Sequence, residues 1–354
     1  MPGKRLLRVG IIVLCLACYM SMPCLCFADM AFLNKSFLSA AKEGLTEEVK
    51  SLLGEGAQID IKDTDGRTAL MWAAHYGYAA VVKILLDRGA NVDTKDTEGR
   101  TALILAAGSC HIVKLLLDNG AQVDAKNNEG WTALMWAVHA GHSDIVKLLL
   151  DKGTQVDAGD NFGRTALMWA AHNGHSDIVK LLLEKGAQVN AEDRTGMTAF
   201  MWAARGGHTA VVKLLLEKGA QVHAKNKDGW TPLMWASFTD HTDTLKLLLE
   251  KGAQVDVEDT LGRTALMHAA WSGHPNTVEF LLNKGAQIHA KDKDGQTALM
   301  HAAGLGHTDA VKLLLEKGAD ANAKDENGQT ALDLAIKYGS SDVVKLLKAH
   351  RATE

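Results

Sequence analysis

D-N-F-G-R-T-A-L-M-W-A-A-H-N-G-H-S-D-I-V-K-L-L-L-E-K-G-A-Q-V-N-A-E, residues 160–192, is the stretch whose reading decides the fold. Asp160 and Asn161 beside Gly163 have the chemistry of a tight turn, two short acceptors and a residue tolerant of positive φ. Thr165 then offers its hydroxyl oxygen as an N-cap to the helix-forming run from Ala166 to Ala171. Asn173-Gly174 breaks that short helix. A second follows from Ser176 to Glu184, with Ile178, Val179, Leu181, Leu182 and Leu183 along a wide apolar face. Lys185 suits its negative end, and Gly186 supplies the left-handed residue that closes it.

The same unit recurs along the chain. A Thr-x-Leu or Thr-x-Phe tripeptide stands at Thr68, Thr101, Thr132, Thr165, Thr198, Thr231, Thr264, Thr297 and Thr330, with a spacing of 33 residues except for one interval of 31. A fixed period of this length means that one small unit is stacked many times, because no single copy can bury its apolar face alone. Turn, helix, loop, helix at this period resembles the ankyrin repeat, whose signature is T-P-L-H-x-A, over about residues 31–354. The Pro appears once, in Thr231-Pro232-Leu233-Met234. Met replaces the usual His at 71, 135, 168, 201, 234, 267 and 300.

The resemblance implies an all-α ankyrin-repeat solenoid of about ten 33-residue helix-turn-helix units with β-turn or hairpin tips. Within a single domain over 29–354, the internal units are 63–95, 96–126, 127–159, 160–192, 193–225, 226–258, 259–291 and 292–324. Residues 36–62 lack the Thr-x-Leu start, while 325–354 carry Asp333 in place of Met and end in Lys345, Lys348 and Arg351. Both read as polar capping repeats.

Residues 1–28 are of another kind. Lys4, Arg5 and Arg8 precede an apolar stretch from Val9 to Phe27, and Ala28 is the small residue that a leader peptidase needs. This reads as a secretory signal peptide, with a retained membrane anchor or lipidation at Cys18 as the alternatives. The expected location is periplasmic or secreted. Of the five cysteines, Cys15, Cys18, Cys24 and Cys26 lie in this segment, so an exported repeat domain would have only Cys110 and no internal disulfide.

Removal of residues 1–28 takes away three basic residues from 38 and leaves the 42 acidic ones, a net charge of −7. A long acidic module without a basic stripe is a poor nucleic-acid ligand. No nucleophile elbow, zinc-protease helix or phosphate-cradling loop is present, and Asp63-Thr64-Asp65-Gly66 lacks the closing Glu of a calcium loop. His139/His142 and His172/His175 form H-x-x-H pairs, but one loop then supplies only two zinc ligands. The expectation is a monomer with no cofactor and no catalytic residue.

Recognition is expected where the units differ from one another, because framework positions must match from unit to unit. The residue before each Thr varies as Arg67, Arg100, Trp131, Arg164, Met197, Trp230, Arg263, Gln296 and Gln329. Other variable places hold Tyr76, Phe162, Phe238, Leu261 and Trp271. Aromatic and Arg side chains of this kind are typical interface anchors. The Met-Trp pairs at Trp72, Trp136, Trp169, Trp202 and Trp235 should form a ladder that fills the seams between units, with His268 and His301 taking over later. In the 31-residue unit two residues are missing after the first helix, which should be shorter. Cys110 follows at the start of the second helix, where a positive helix end favours thiolate, and is the one candidate reactive thiol.

A protein-binding scaffold outside the cytoplasm, whose tips and first helices form the partner-binding groove that the resemblance implies, is the leading function. A structural or protective envelope role is the alternative, with a metal-binding or enzymatic protein behind it.

Overall fold

The computed structural model describes residues 23–351, and among them the regular structure is helical, with one isolated bridge between Glu192 and Thr198. The leader reading lies outside the described residues as far as residue 22. The first helix, Pro23–Glu43, runs through Ala28. From there the chain forms ten helix pairs, Ala166–His172 with Ser176–Glu184 being representative, as the 33-residue unit predicts. They gather into two compact units, one of three pairs ending at Asn128 and one of seven pairs beginning at Glu129. The division follows the repeat that lost two residues, whose first helix, Ala102–Leu105, is cut to four.

The capping chemistry follows the sequence closely. Each of the nine Thr residues is an N-cap in extended conformation whose hydroxyl accepts the amide of the third residue on, such as Thr165 from Met168 at 3.4 Å. The sulfur that stands where the ankyrin signature has His takes a share of this work. Met234 and Met300 accept the N-cap amides of Thr231 and Thr297, and in the last unit the Asp333 carboxylate accepts that of Thr330 at 2.9 Å. At the far end of the pair, Gly186 at φ 91° lets Ala187 donate back to the Leu182 carbonyl, which satisfies an end group the helix would leave bare.

Burial is periodic. Ile178, Val179 and Leu182 of one second helix have no solvent exposure, nor do Val211, Val212 and Leu215 of the next. First helices are apolar almost all round because they pack on both sides, with Leu167, Met168, Ala170 and Ala171 buried. Leu182→Ala would open a cavity costing about 2–5 kcal/mol. The loop histidines are a second framework. His208, His274 and His307 reach back one unit to the carbonyls of His172, Phe238 and Trp271, at 2.8, 3.1 and 2.8 Å.

The tips are tight turns tied to their neighbours. Within the second unit Asn161 donates to the Glu129 carbonyl, Arg194 to Phe162, Lys227 to Thr195, Thr260 to Asp228, Lys293 to Leu261 and Glu326 to Asp294. One bond per step fixes the spacing of the tips, and so the spacing of every side chain that rises beside them.

Candidate partner-binding face

A tip that begins with Asp holds an acceptor whose two oxygens have separate duties. Oδ1 of Asp160 accepts the amides of Phe162 and Arg164 at 2.8 and 2.9 Å, which holds the turn. The second oxygen is left for a side chain, and two positions compete for it. In some units the residue before Thr takes it: Arg100 Nε on Asp96 at 2.8 Å, Arg164 Nε on Asp160 at 2.8 Å, Gln329 on Asp325 at 3.2 Å. In others the donor comes from inside the first helix: Trp72 on Asp63 at 2.7 Å, Trp202 on Asp193 at 3.2 Å, and Nε2 of His268 and His301 on Asp259 and Asp292 at 3.0 and 2.8 Å. A carboxylate can only accept, so both imidazoles carry their proton on Nε2.

The two tips that begin with Asn rather than Asp, Asn127 and Asn226, are the two that carry Trp before Thr, at Trp131 and Trp230. Indole in place of a guanidinium leaves no cation for a carboxylate. Asn226 keeps the turn, accepting from Asp228 and Trp230 at 3.0 and 2.8 Å, and turns its amide nitrogen toward the Met197 sulfur at 3.9 Å. Trp235 Nε1 therefore meets no acceptor there, and it is buried without a hydrogen-bond partner among the described residues, as are Trp136 Nε1 and Trp169 Nε1. Trp169 is displaced for the other reason: Arg164 already holds Asp160.

These side chains form rows of rings and cations. In the first compact unit Arg67 and Lys42 each sit 4.4 Å from the Trp72 ring, which stacks on Tyr76 at 5.8 Å. In the second, Trp131 lies 4.9 Å from Trp136 and 4.7 Å from Trp169, and so stands between two rings of the expected ladder. Arg164 covers Trp169 at 4.3 Å and Phe162 at 4.8 Å. His172 stands edge-on to Trp202 at 5.2 Å, and Arg205 lies between Trp202 and Trp235 at 5.3 and 4.9 Å. Trp230 packs on Trp235, Phe238 and His268 at 4.3, 5.5 and 3.9 Å, and Arg263 covers Trp271 at 4.6 Å.

Burial sorts the predicted site residues into two sets. Tyr76, Phe162, Leu261 and Trp271 are exposed, Phe162 most of all at 62%. Arg67, Arg100, Arg164, Trp230, Phe238 and Arg263 are half-buried. Trp131 and Met197 are corrected from surface to core, at 8% and 3% exposure, because Trp131 packs against the rings of Trp136 and Trp169 and Met197 meets Asn226 of the next tip. They support the face and do not form it. Cys110 is the half-buried first residue of its helix. Among the described residues no three His, Cys, Asp or Glu side chains are grouped to hold a metal ion, and no helix is long and apolar enough to cross a membrane.

Sequence reasoning passed over Arg205, Leu305 and Tyr338, which end or follow first helices on the same side. Tyr338 is 63% exposed and with Trp271, Met300, Leu305 and Leu334 borders a cavity of about 250 Å³. The signal was available at the last residue of each first helix and the residue after it, where the units also disagree. Electrostatically the face is short of protons to release. Burial holds the His172 imidazole below its ordinary value, the Arg205 charge adds to that, and the ring is neutral at pH 7. Burial likewise depresses His268 against the opposing pull of Asp259. Asp259 stays below the usual carboxylate range although burial works against it, through hydrogen bonds from His268 and the tip amides.

A search of curated proteins returned no match. A family description reading "Ankyrin repeats (3 copies)" matches residues 37–127, 89–160, 108–193, 155–226, 200–292 and 266–353, overlapping windows that follow the helix pairs. Proteins built of such repeats generally mediate protein–protein interaction and are typically non-enzymatic. With windows that together reach from 37 to 353, the chain belongs to the ankyrin-repeat family.

Proposed function

We propose that this protein is a non-enzymatic scaffold that binds a partner protein through the tips and first helices, acting as a monomer outside the cytoplasm. The observation that carries this reading is the placing of Phe162, Leu261 and Trp271, large apolar side chains that are 62%, 52% and 38% exposed at tips and first-helix ends, beside first helices whose inward residues are buried. Exposed rings and alkyl groups at tips and helix ends, flanked by guanidinium groups, match the composition of interface cores. Location outside the cytoplasm rests on Lys4, Arg5, Arg8 and the apolar run to Phe27, followed by Ala28.

The test is photo-crosslinking in the native cell envelope with wild-type protein and a Phe162→Ala, Leu261→Ala, Trp271→Ala variant. The expected result is one dominant adduct that the variant loses while its thermal unfolding is unchanged. An adduct formed equally by both proteins would refute this face as the binding surface. N-terminal sequencing of the mature protein should find Asp29; a chain retained from Met1 would remove the cleavage reading.

A further inference from the structure

We propose that the face of the second compact unit takes an extended segment that carries a carboxylate, held by Arg205, and a bulky apolar side chain, held between Trp271 and Tyr338. This rests on the protein-binding reading above and names the chemistry of the segment.

Hydrogen-bonding capacity on this face is unbalanced. The carboxylates beneath it are fully used, with one oxygen of Asp160, Asp193, Asp259 and Asp292 holding tip amides and the other taken by Arg164, Trp202, His268 and His301. Of the buried polar atoms of this unit without a hydrogen bond among the described residues, four can only donate, and His172 Nδ1, His175 Nε2 and Ser272 Oγ are the rest. Trp136, Trp169 and Trp235 each keep a buried indole N–H without an acceptor, and Arg263 Nε stands 3.6 Å from an Asp292 oxygen that His301 already occupies. Indole and guanidinium nitrogens can only donate, and these buried ones are out of a ligand's reach, so an incoming acceptor meets only the exposed donors of the face.

Arg205 is the focus. Its guanidinium is exposed, lies between the Trp202 and Trp235 rings, and makes no ion pair among the described residues. Two rings restrict the fork without consuming its N–H groups, which preorganises it for a two-pronged contact with a carboxylate. A protein segment is favoured because an apolar anchor lies further along the same face. The cavity bordered by Trp271, Met300, Leu305, Leu334 and Tyr338, about 250 Å³, has room for one large side chain. It centres three units beyond Arg205, roughly 25 Å at helix-packing distances, which an extended chain covers in about seven or eight residues.

Random twelve-residue peptides displayed on phage and selected on the immobilised full chain test this directly. Enriched peptides should carry Asp or Glu seven or eight places from Leu, Phe, Trp or Met. As labelled synthetic peptides they should lose about tenfold or more in affinity on Arg205→Ala, less on Arg205→Lys, and the same on changing their acidic residue to its amide, with no further loss when both changes are combined. Peptides that need Trp271 and Tyr338 but carry no acid, or acidic peptides indifferent to Arg205→Ala, would overturn the proposal and leave the protein-binding reading standing. If every enriched peptide bound equally to a Trp271→Ala, Tyr338→Ala variant, both readings would fall. Self-association abolished by Arg205→Ala would assign the face to a second copy and overturn it too.

Discussion

The tip carboxylates make a quantitative claim at Asp259. Its Oδ1 accepts the amides of Leu261 and Arg263 at 2.8 and 2.9 Å, and its Oδ2 accepts from His268, which is 2% exposed. Asp259→Ala leaves three donors without an acceptor. A stranded buried donor costs about 1–3 kcal/mol, and the two amides, next to the exposed Leu261, can be rehydrated and fall at the low end. The loss is therefore about 3 kcal/mol, with His268 contributing the largest share. Asp259→Asn keeps the amide acceptor, and the imidazole can move its proton to Nδ1 and accept from the new amide nitrogen, so the cost is about 1 kcal/mol or less. Asn226 already holds a tip in this way. Native-state hydrogen exchange at Leu261 and Arg263, alongside urea unfolding, is the suitable assay, because a repeat array opens locally as well as globally. Ala within 1 kcal/mol of wild type, or Asn as costly as Ala, would refute the idea that this carboxylate works as an acceptor for three donors rather than as a charge.

Acidification should destabilise the fold in two stages. His268 and His172 have folded-state values below 6.5, so the unfolded chain takes up protons that the folded chain resists and stability falls as pH drops from about 7. Asp259 and Asp292 are depressed below 3.8, and their contribution is present above that value and lost as pH falls through the lower folded one. His268→Trp, which copies the Trp72 to Asp63 bond, should flatten the first stage in urea midpoints measured between pH 7 and 5. Asp240 occupies at φ 62° a loop position that is Gly in the equivalent units, and accepts from the buried Thr277 hydroxyl at 2.6 Å. Asp240→Ala should cost about 2 kcal/mol in unfolding free energy, strain plus the lost bond, whereas Asp240→Gly should be near neutral because relief of strain offsets the bond. At Gly229, φ 79°, a Cβ would lie 2.7 Å from the backbone nitrogen of Thr260, so Gly229→Ala should break the bond from Thr260 to Asp228 and speed exchange of that amide.

The parts of this architecture that were legible are those written within about four residues of sequence. Thr165 followed by a helix-forming run, Asp160 with Gly163, and Lys185-Gly186 are local instructions, and the structure follows each of them. The period extends such instructions along the chain but says nothing about which side of a tip a residue meets. Trp131 and Arg164 stand at the same repeat position, yet the Trp131 ring is buried against Trp136 and Trp169 while Arg164 stays half-buried on its tip carboxylate, the first tip beginning with Asn127 and the second with Asp160. That dependence links residues four and nine places apart within one unit, and becomes readable once the first residue of the tip is known to carry two separate acceptors. Arg205 was hidden for a different reason. It does not lie on the tip at all, and the tip carboxylate of its own unit, Asp193, already accepts from Trp202. A binding face of this kind is thus the remainder left after the framework has satisfied itself, and its chemistry is set by which donors the tips could not use.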